Sequence, residues 1–135
     1  MKMVAKPKPP QPSETQITLA IMELLAMHKV FAWRANTGGA AYPDGKGGFY
    51  HVKFGFKGVS DIIGLVPGRA IREVSKGVFE CHPHPYGRFF AIEVKRPGGR
   101  LTANQAAFLA AVRAHGGIAF VAESVEDVRK ELGLY

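Results

Sequence analysis

At 135 residues, 47% of them hydrophobic, the chain suits one compact domain that buries roughly two thirds of its unfolded surface, and its composition excludes intrinsic disorder. A single cysteine, Cys81, excludes an internal disulfide and a Cys-rich zinc site and fits a reducing, cytoplasmic setting. Eighteen Lys and Arg against 11 Asp and Glu, a formal net charge of +7, favour a polyanionic partner. Nucleic acid comes before a membrane surface here, because no basic amphipathic helix stands out and no apolar run approaches the ~20 residues of a membrane helix.

Residues 1–12 carry Lys2, Lys6 and Lys8 among four prolines. They read as a flexible basic tail with no apolar core of a signal peptide, leaving 13–135 as the domain. Ser13 and Gln16 form a capping-box pattern, and Ile17, Ile21, Leu24, Leu25 and His28 recur at helical spacing, so 14–28 is predicted as an amphipathic helix. Val30–Arg34 is β-branched and aromatic and predicts a short strand. The glycine-rich stretch 35–48 reads as a loop, and 49–54 as another strand or half of a hairpin. Asp61–Val66 is a strand closed by Pro67-Gly68. Residues 69–87 read as irregular, with a hairpin around IREVSKGVFE as an option.

Phe89–Lys95 is the clearest strand. Thr102 caps a helix over 103–115 that Gly116-Gly117 ends, Ile118–Ala122 is a buried strand, and Ser124 opens a last helix ending near Leu132. The strand–helix–strand order of 89–122 predicts a parallel pair with a crossover helix. The expected fold class is therefore α/β, a central mixed sheet with helices on both faces.

Side chains alternate along a strand, so in FFAIEVK the residues Glu93 and Lys95 share one face, while Phe90, Ile92 and Val94 share the other. Charges in such a strand are paired, exposed or functional. Asp61 opens a second apolar strand. If the two strands are neighbours, Asp61 and Glu93 can converge on one hard cation such as Mg²⁺, which accepts one or two carboxylates and completes its shell with water and phosphate. Lys95 would orient a water or neutralise a phosphate. The bland alternative is an ion pair between Glu93 and Lys95 on an edge strand.

On a helical wheel Glu14 falls within the apolar stripe of its helix, and Gln105 falls within that of Leu101, Phe108, Leu109 and Val112. Inward polar side chains need polar partners, which a metal site would supply. Capping is the competing explanation for each: Glu14 lies in a first turn, and Gln105 follows Thr102 at capping-box spacing.

In order, E-x2-I at 14–17, W-R-x-N-T-G at 33–38, G-x-S-D-I-I-G at 58–64, I-E-V-K-R-P-G-G-R-L-T-x-N-Q-x-x-F-L at 92–109 and G-G-I-A-F-V-A-E-S-V-E-D-V at 116–128 resemble the VRR-NUC family of PD-(D/E)xK nucleases, over residues 14–128. The resemblance implies a restriction-endonuclease-like core. It implies Glu14, Asp61 and Glu93 as metal ligands with the main-chain carbonyl of Val94, Lys95 as the catalytic lysine, and Gln105 as a polar neighbour of the site. It further implies Mg²⁺ or Mn²⁺ dependence and, as in some stand-alone phage or prophage members, action on branched DNA as a homodimer. The family's proline before the motif aspartate is absent here, where Val59 and Ser60 precede Asp61, a common variation. Residues 69–88 form a longer insertion than the family leads one to expect.

Arg34, Asn36, Lys57, Arg96 and Arg100 are candidates for phosphate contacts, with Lys53 beside them. His82 and His84 beside Cys81 are too close together, with prolines between, for good tetrahedral zinc geometry. His28 and His115, near helix ends, read as structural. No P-loop or G-x-S-x-G motif points to a nucleotide cofactor or a serine nucleophile. Two other functions stay open on these residues: a non-catalytic DNA-binding protein with a nuclease-like fold, and a restriction-like nuclease with a sequence preference.

Overall fold

In the computed structural model the described residues are 3–35, 39–53, 55 and 57–135. The elements run α1 (Glu14–Met27), β1 (Phe31–Arg34), β2 (Gly39–Pro43), β3 (Phe49–Lys53), β4 (Ile62–Ser75), β5 (Val78–Val94), α2 (Ala103–Ala114), β6 (Ile118–Ala122) and α3 (Val125–Leu132). The central sheet has the order β1-β4-β5-β6. Strands β1, β4 and β5 pair antiparallel. β6 runs parallel to β5, as the crossover helix α2 requires.

The alternation along β5 divides the core between two layers. Phe90, Ile92 and Val94 face Ile62, Phe120 and Ala122 of the neighbouring strands and the apolar faces of α1 (Ile17, Ile21, Leu24, Leu25) and α3 (Val128). Ala91 faces the other way, with Ala119 and Leu109 of α2, edged by Ile63, Phe108 and Val112. Each of α1, α2 and α3 starts on a complete capping box, at Ser13 with Gln16, Thr102 with Gln105, and Ser124 with Asp127. Gly64 in β4 is where Phe90 seats itself: a Cβ there would lie 2.5 Å from the Phe31 carbonyl oxygen and 2.6 Å from the Phe90 ring. Only glycine allows that approach.

Two segments differ from their sequence-based expectation. Residues 69–87 are not irregular: β4 and β5 continue past the sheet as a two-stranded ribbon, turning at Lys76-Gly77 with Ser75 opposite Val78. The hairpin option is the one realised. Glu73 braces the turn by accepting the Gly77 N–H at 2.9 Å. Prolines disguise these strands, since Pro67 opposes Gly87 and Pro83 opposes Arg69. A proline interrupts a strand only where its missing N–H is needed. Among the described residues β1 pairs with β4 only at Ile62–Leu65, and β6 with β5 only at Phe90–Val94, so the ribbon's outer edges make no such demand.

The glycine-rich loop also contains a strand. Gly39–Pro43 pairs with Phe49–Lys53, and Asp44 closes the turn by accepting the N–H groups of Lys46 (2.7 Å) and Gly48 (3.0 Å). Glycine and alanine carry little strand propensity, so β2 leaves a weak trace in the sequence.

Candidate active site

The register between β4 and β5 builds the site. Ile62 opposes Ile92 and Ile63 opposes Ala91, so one further step sets Asp61 opposite Glu93. Both carboxylates, with Lys95, lie on the sheet face that carries α2. Asp61 sits just before the start of β4 and takes over where the ladder ends: its Oδ2 accepts the Val94 N–H at 2.8 Å. Its own carbonyl accepts the Ala35 N–H at 2.9 Å, which ties it to the end of β1. The Lys95 N–H donates to Ala122 on the opposite edge of β5. Backbone polar groups alternate edges along a strand, so the Val94 carbonyl shares the edge of its N–H, beside Asp61.

Glu93 is 2% exposed. Its Oε1 lies 3.5 Å from the Lys95 Nζ, and its Oε2 is fully buried with no hydrogen-bond partner among the described residues. Burial pushes the Glu93 carboxyl up to about 7 from an ordinary 4.5, with the neighbouring Asp61 charge adding to the shift and Lys95 opposing it. Buried oxygens that lack a partner are exceptional and mark a function or an additional ligand. Hard oxygens from two opposed carboxylates and one carbonyl fit a divalent cation that completes its shell with water and substrate oxygen.

A carboxyl with a raised folded-state pKa contributes stability that is present below about 4.5 and lost as pH rises through about 7. In EDTA, the difference in unfolding free energy between the wild type and Glu93→Gln should therefore shrink or reverse across that window, by up to about 3 kcal/mol. Urea denaturation at intervals of half a pH unit measures it, and a flat difference would place Glu93 in a polar setting.

The expected site residues distribute as follows. Asp61, Glu93, Lys95 and the Val94 backbone come together. Arg34, Lys57, Arg96 and Arg100 are exposed at the same end of the sheet, on the end of β1, the turn before Gly58 and the turn after β5. Asn36 lies outside the described residues. Glu14 departs from its expected inward placement: it is exposed at the head of α1. Side chains on a helix lean toward its N-terminus, so a first-residue side chain projects beyond the core instead of into it. Among the described residues no three His, Cys, Asp or Glu side chains form one metal-holding group, and the two carboxylates that the strand register sets opposite one another are Asp61 and Glu93.

Gln105 is partly buried, and its Oε1 accepts the Thr102 N–H at 2.9 Å, which is the capping alternative realised. His82 pairs with Glu80 at 3.1 Å on the ribbon, and the His115 Nδ1 lies 2.7 Å from the Ala111 carbonyl oxygen.

Two features of the site have no counterpart among the sequence-based expectations. Ser60 is fully buried beside Asp61, and its Oγ has no partner among the described residues. Gly58, at φ +93°, presses its α-carbon against the backbone of Asn104 and so docks the head of α2 onto the turn that carries Asp61. The only hint in the sequence is the G-x-S-D string itself.

A family model, that of the VRR-NUC domain, matches residues 50–126, more than half of the chain. The matched span holds Asp61, Glu93, Lys95 and Gln105, and leaves Glu14, Arg34 and Asn36 outside. Comparison with curated proteins and with solved structures finds no match.

Proposed function

The chain belongs to the VRR-NUC domain family and is thereby a nuclease-type domain acting on DNA, and on that premise we propose that it is a Mg²⁺-dependent endodeoxyribonuclease preferring branched DNA, with Mn²⁺ able to replace Mg²⁺. The observation that carries the reading is the opposed pair Asp61 and Glu93, with the buried, unpartnered Oε2 of Glu93. These two carboxylates and the Val94 carbonyl would hold the ion. When bound, the ion would activate a water and offset charge on the departing oxygen.

The chain's own groups do the rest. Arg34, Lys57, Arg96 and Arg100 anchor the phosphates on either side of the scissile bond. Lys95, held against Glu93, orients the attacking water or a phosphate oxygen by hydrogen bonding. The water oxygen bonds to phosphorus and gives up a proton to solvent, the phosphorus–oxygen ester bond breaks, and the departing oxygen takes up a proton from solvent.

One carboxylate pair gives one hydrolytic site per chain. A two-fold homodimer would present two sites to the two strands of a symmetric junction, which is the assembly proposed for the working form.

The test is a panel of end-labelled single-stranded, duplex, flap and four-way DNAs incubated with Mg²⁺, with EDTA as the control. Internal cuts in flap or four-way DNA, several-fold faster than in duplex and absent in EDTA, are expected. Cleavage that persists in EDTA would overturn the metal assignment, and equal rates on every substrate would overturn the structural preference.

A further inference from the structure

The hairpin of β2 and β3 forms a sheet of its own, apart from the central one. On one of its faces Tyr42 stands directly across from Tyr50. The rings stack with centroids 5.6 Å apart and planes 26° from parallel. Both are substantially exposed, 42% and 53%, with Val52 beside them and Phe49 on the opposite face at 65%. The pair itself helps hold a two-stranded hairpin together, by about 0.2–1 kcal/mol, yet it leaves the rings' outer surfaces open to solvent and to a flat ligand. Asp44, the acid of the turn, is occupied by two backbone N–H groups, while Lys46 at the tip is exposed.

The position of this hairpin is limited by its connections. Ala35 donates its N–H to the Asp61 carbonyl, so one root of the hairpin is bonded to the site itself. Only three residues separate Ala35 from Gly39, and three separate Lys53 from Lys57. Four peptide steps span at most about 14 Å, so the first residue of the hairpin lies within that distance of the chain beside Asp61. The ribbon of β4 and β5, by contrast, leaves the sheet at the opposite end.

We propose, resting on the nuclease reading above, that the Tyr42–Tyr50 face is a stacking platform for unpaired nucleobases next to the cleavage site, so that among branched DNAs those with a single-stranded segment adjoining a duplex are held most tightly. Every base has a flat π-face that an aromatic ring can accept, without regard to sequence. A base inside a duplex is already stacked on its neighbours and gains nothing from the platform, whereas a base in a fork or flap gains a partner. The net charge of +7, with Lys46 on the turn and Lys57 at the base, suits the accompanying phosphates. A second copy of the chain is the weaker occupant: strands of five residues offer little area toward the roughly 1,200 Å² that a stable interface buries.

The experiment compares the wild type, Tyr42→Ala/Tyr50→Ala and Tyr42→Phe/Tyr50→Phe in Ca²⁺. The probes are a fork carrying 2-aminopurine in its single-stranded arm and a blunt duplex of equal length. For the alanine pair, a loss of about tenfold in fork affinity is expected, with the 2-aminopurine quenching abolished, duplex affinity within about twofold, and an unchanged salt slope. The phenylalanine pair keeps fork affinity, because stacking needs the ring and not the hydroxyl. Thermal unfolding of each variant confirms that the fold is retained.

Unchanged fork affinity in the alanine pair would overturn the platform, as would an equal loss on fork and duplex. A fall in oligomer mass with no change in fork preference would assign the face to a second copy. In each of those cases the wild type still cleaves DNA in Mg²⁺, and the nuclease reading stands. A wild type that neither binds nor cleaves any DNA would remove that reading first.

Discussion

Asp61→Asn and Glu93→Gln should each lower Mg²⁺-dependent cleavage on the order of a hundredfold or more, with DNA binding retained. Each substitution replaces a charged oxygen of the proposed metal site by a neutral amide of nearly the same shape, so a hard cation would lose most of its attraction to the site. Binding should persist because the phosphate contacts proposed for the exposed Arg34, Lys57, Arg96 and Arg100 are untouched, and removing negative charge would not weaken them. The asparagine at 61 can still accept the Val94 N–H through its carbonyl oxygen, which keeps β4 and β5 in register. The glutamine at 93 removes a buried charge but leaves the Lys95 ammonium without its partner, so urea denaturation of the same variant checks that a fall in cleavage at neutral pH is not unfolding.

Lys95→Ala completes the comparison: turnover should fall far more than affinity. Arg96→Ala or Arg100→Ala should weaken binding instead, and flatten its salt dependence by about one unit for each phosphate no longer engaged. Gel-based cleavage rates and anisotropy titrations at several salt concentrations separate these outcomes. Near-normal cleavage by either carboxylate variant would reduce Glu93 and Lys95 to a structural ion pair.

How far this site is legible in the sequence depends on the kind of rule involved. The alternation within FFAIEVK is local and strict, so the shared face of Glu93 and Lys95 and the burial of Phe90, Ile92 and Val94 follow from the residues alone. The convergence of Asp61 on Glu93 needs one added fact, that β4 and β5 are neighbours, and the family resemblance makes it an expectation. The parallel β5–β6 pair follows from a strand–helix–strand order that has few alternatives.

The helical wheel fails at Glu14 because it treats every turn alike, whereas a side chain at the head of a helix has no preceding turn to lean on. At Gln105 two patterns compete, the apolar stripe and the capping box, and an otherwise unpaired N-cap N–H decides for the box. The ribbon of residues 66–87 is hidden by prolines whose effect depends on which strand edge is in use, a tertiary fact. The contact of Gly58 with Asn104 joins residues 46 positions apart in the chain, and no periodicity reports it.

Because of that contact, Gly58→Ala should destabilise the protein by about 2–4 kcal/mol, combining a left-handed backbone conformation that alanine resists with overpacking against a rigid neighbour. The added Cβ would lie 2.5 Å from both the carbonyl carbon and the carbonyl oxygen of Asn104, atoms of the first turn of α2 that cannot swing aside as a side chain would. Relief requires that the head of α2 and the turn bearing Ser60 and Asp61 move apart. A displacement of about 1 Å at a catalytic group can lower the rate on the order of a hundredfold, so the variant should lose cleavage even at temperatures where it is folded.

Gly98→Ala is the matched control. Gly98 has a similar φ of +81°, but nothing lies within 4 Å of its added Cβ. It should therefore show only the backbone penalty of about 1–2 kcal/mol, with the active site in place. Urea denaturation and single-turnover cleavage of the two variants side by side distinguish the terms. If Gly58→Ala matched Gly98→Ala in both measurements, the docking of α2 on the Asp61 turn would not be what positions the carboxylate. If Gly58→Ala reduced cleavage well beyond its effect on stability, the packing of Gly58 on Asn104 would stand as part of the machinery that sets Asp61 opposite Glu93.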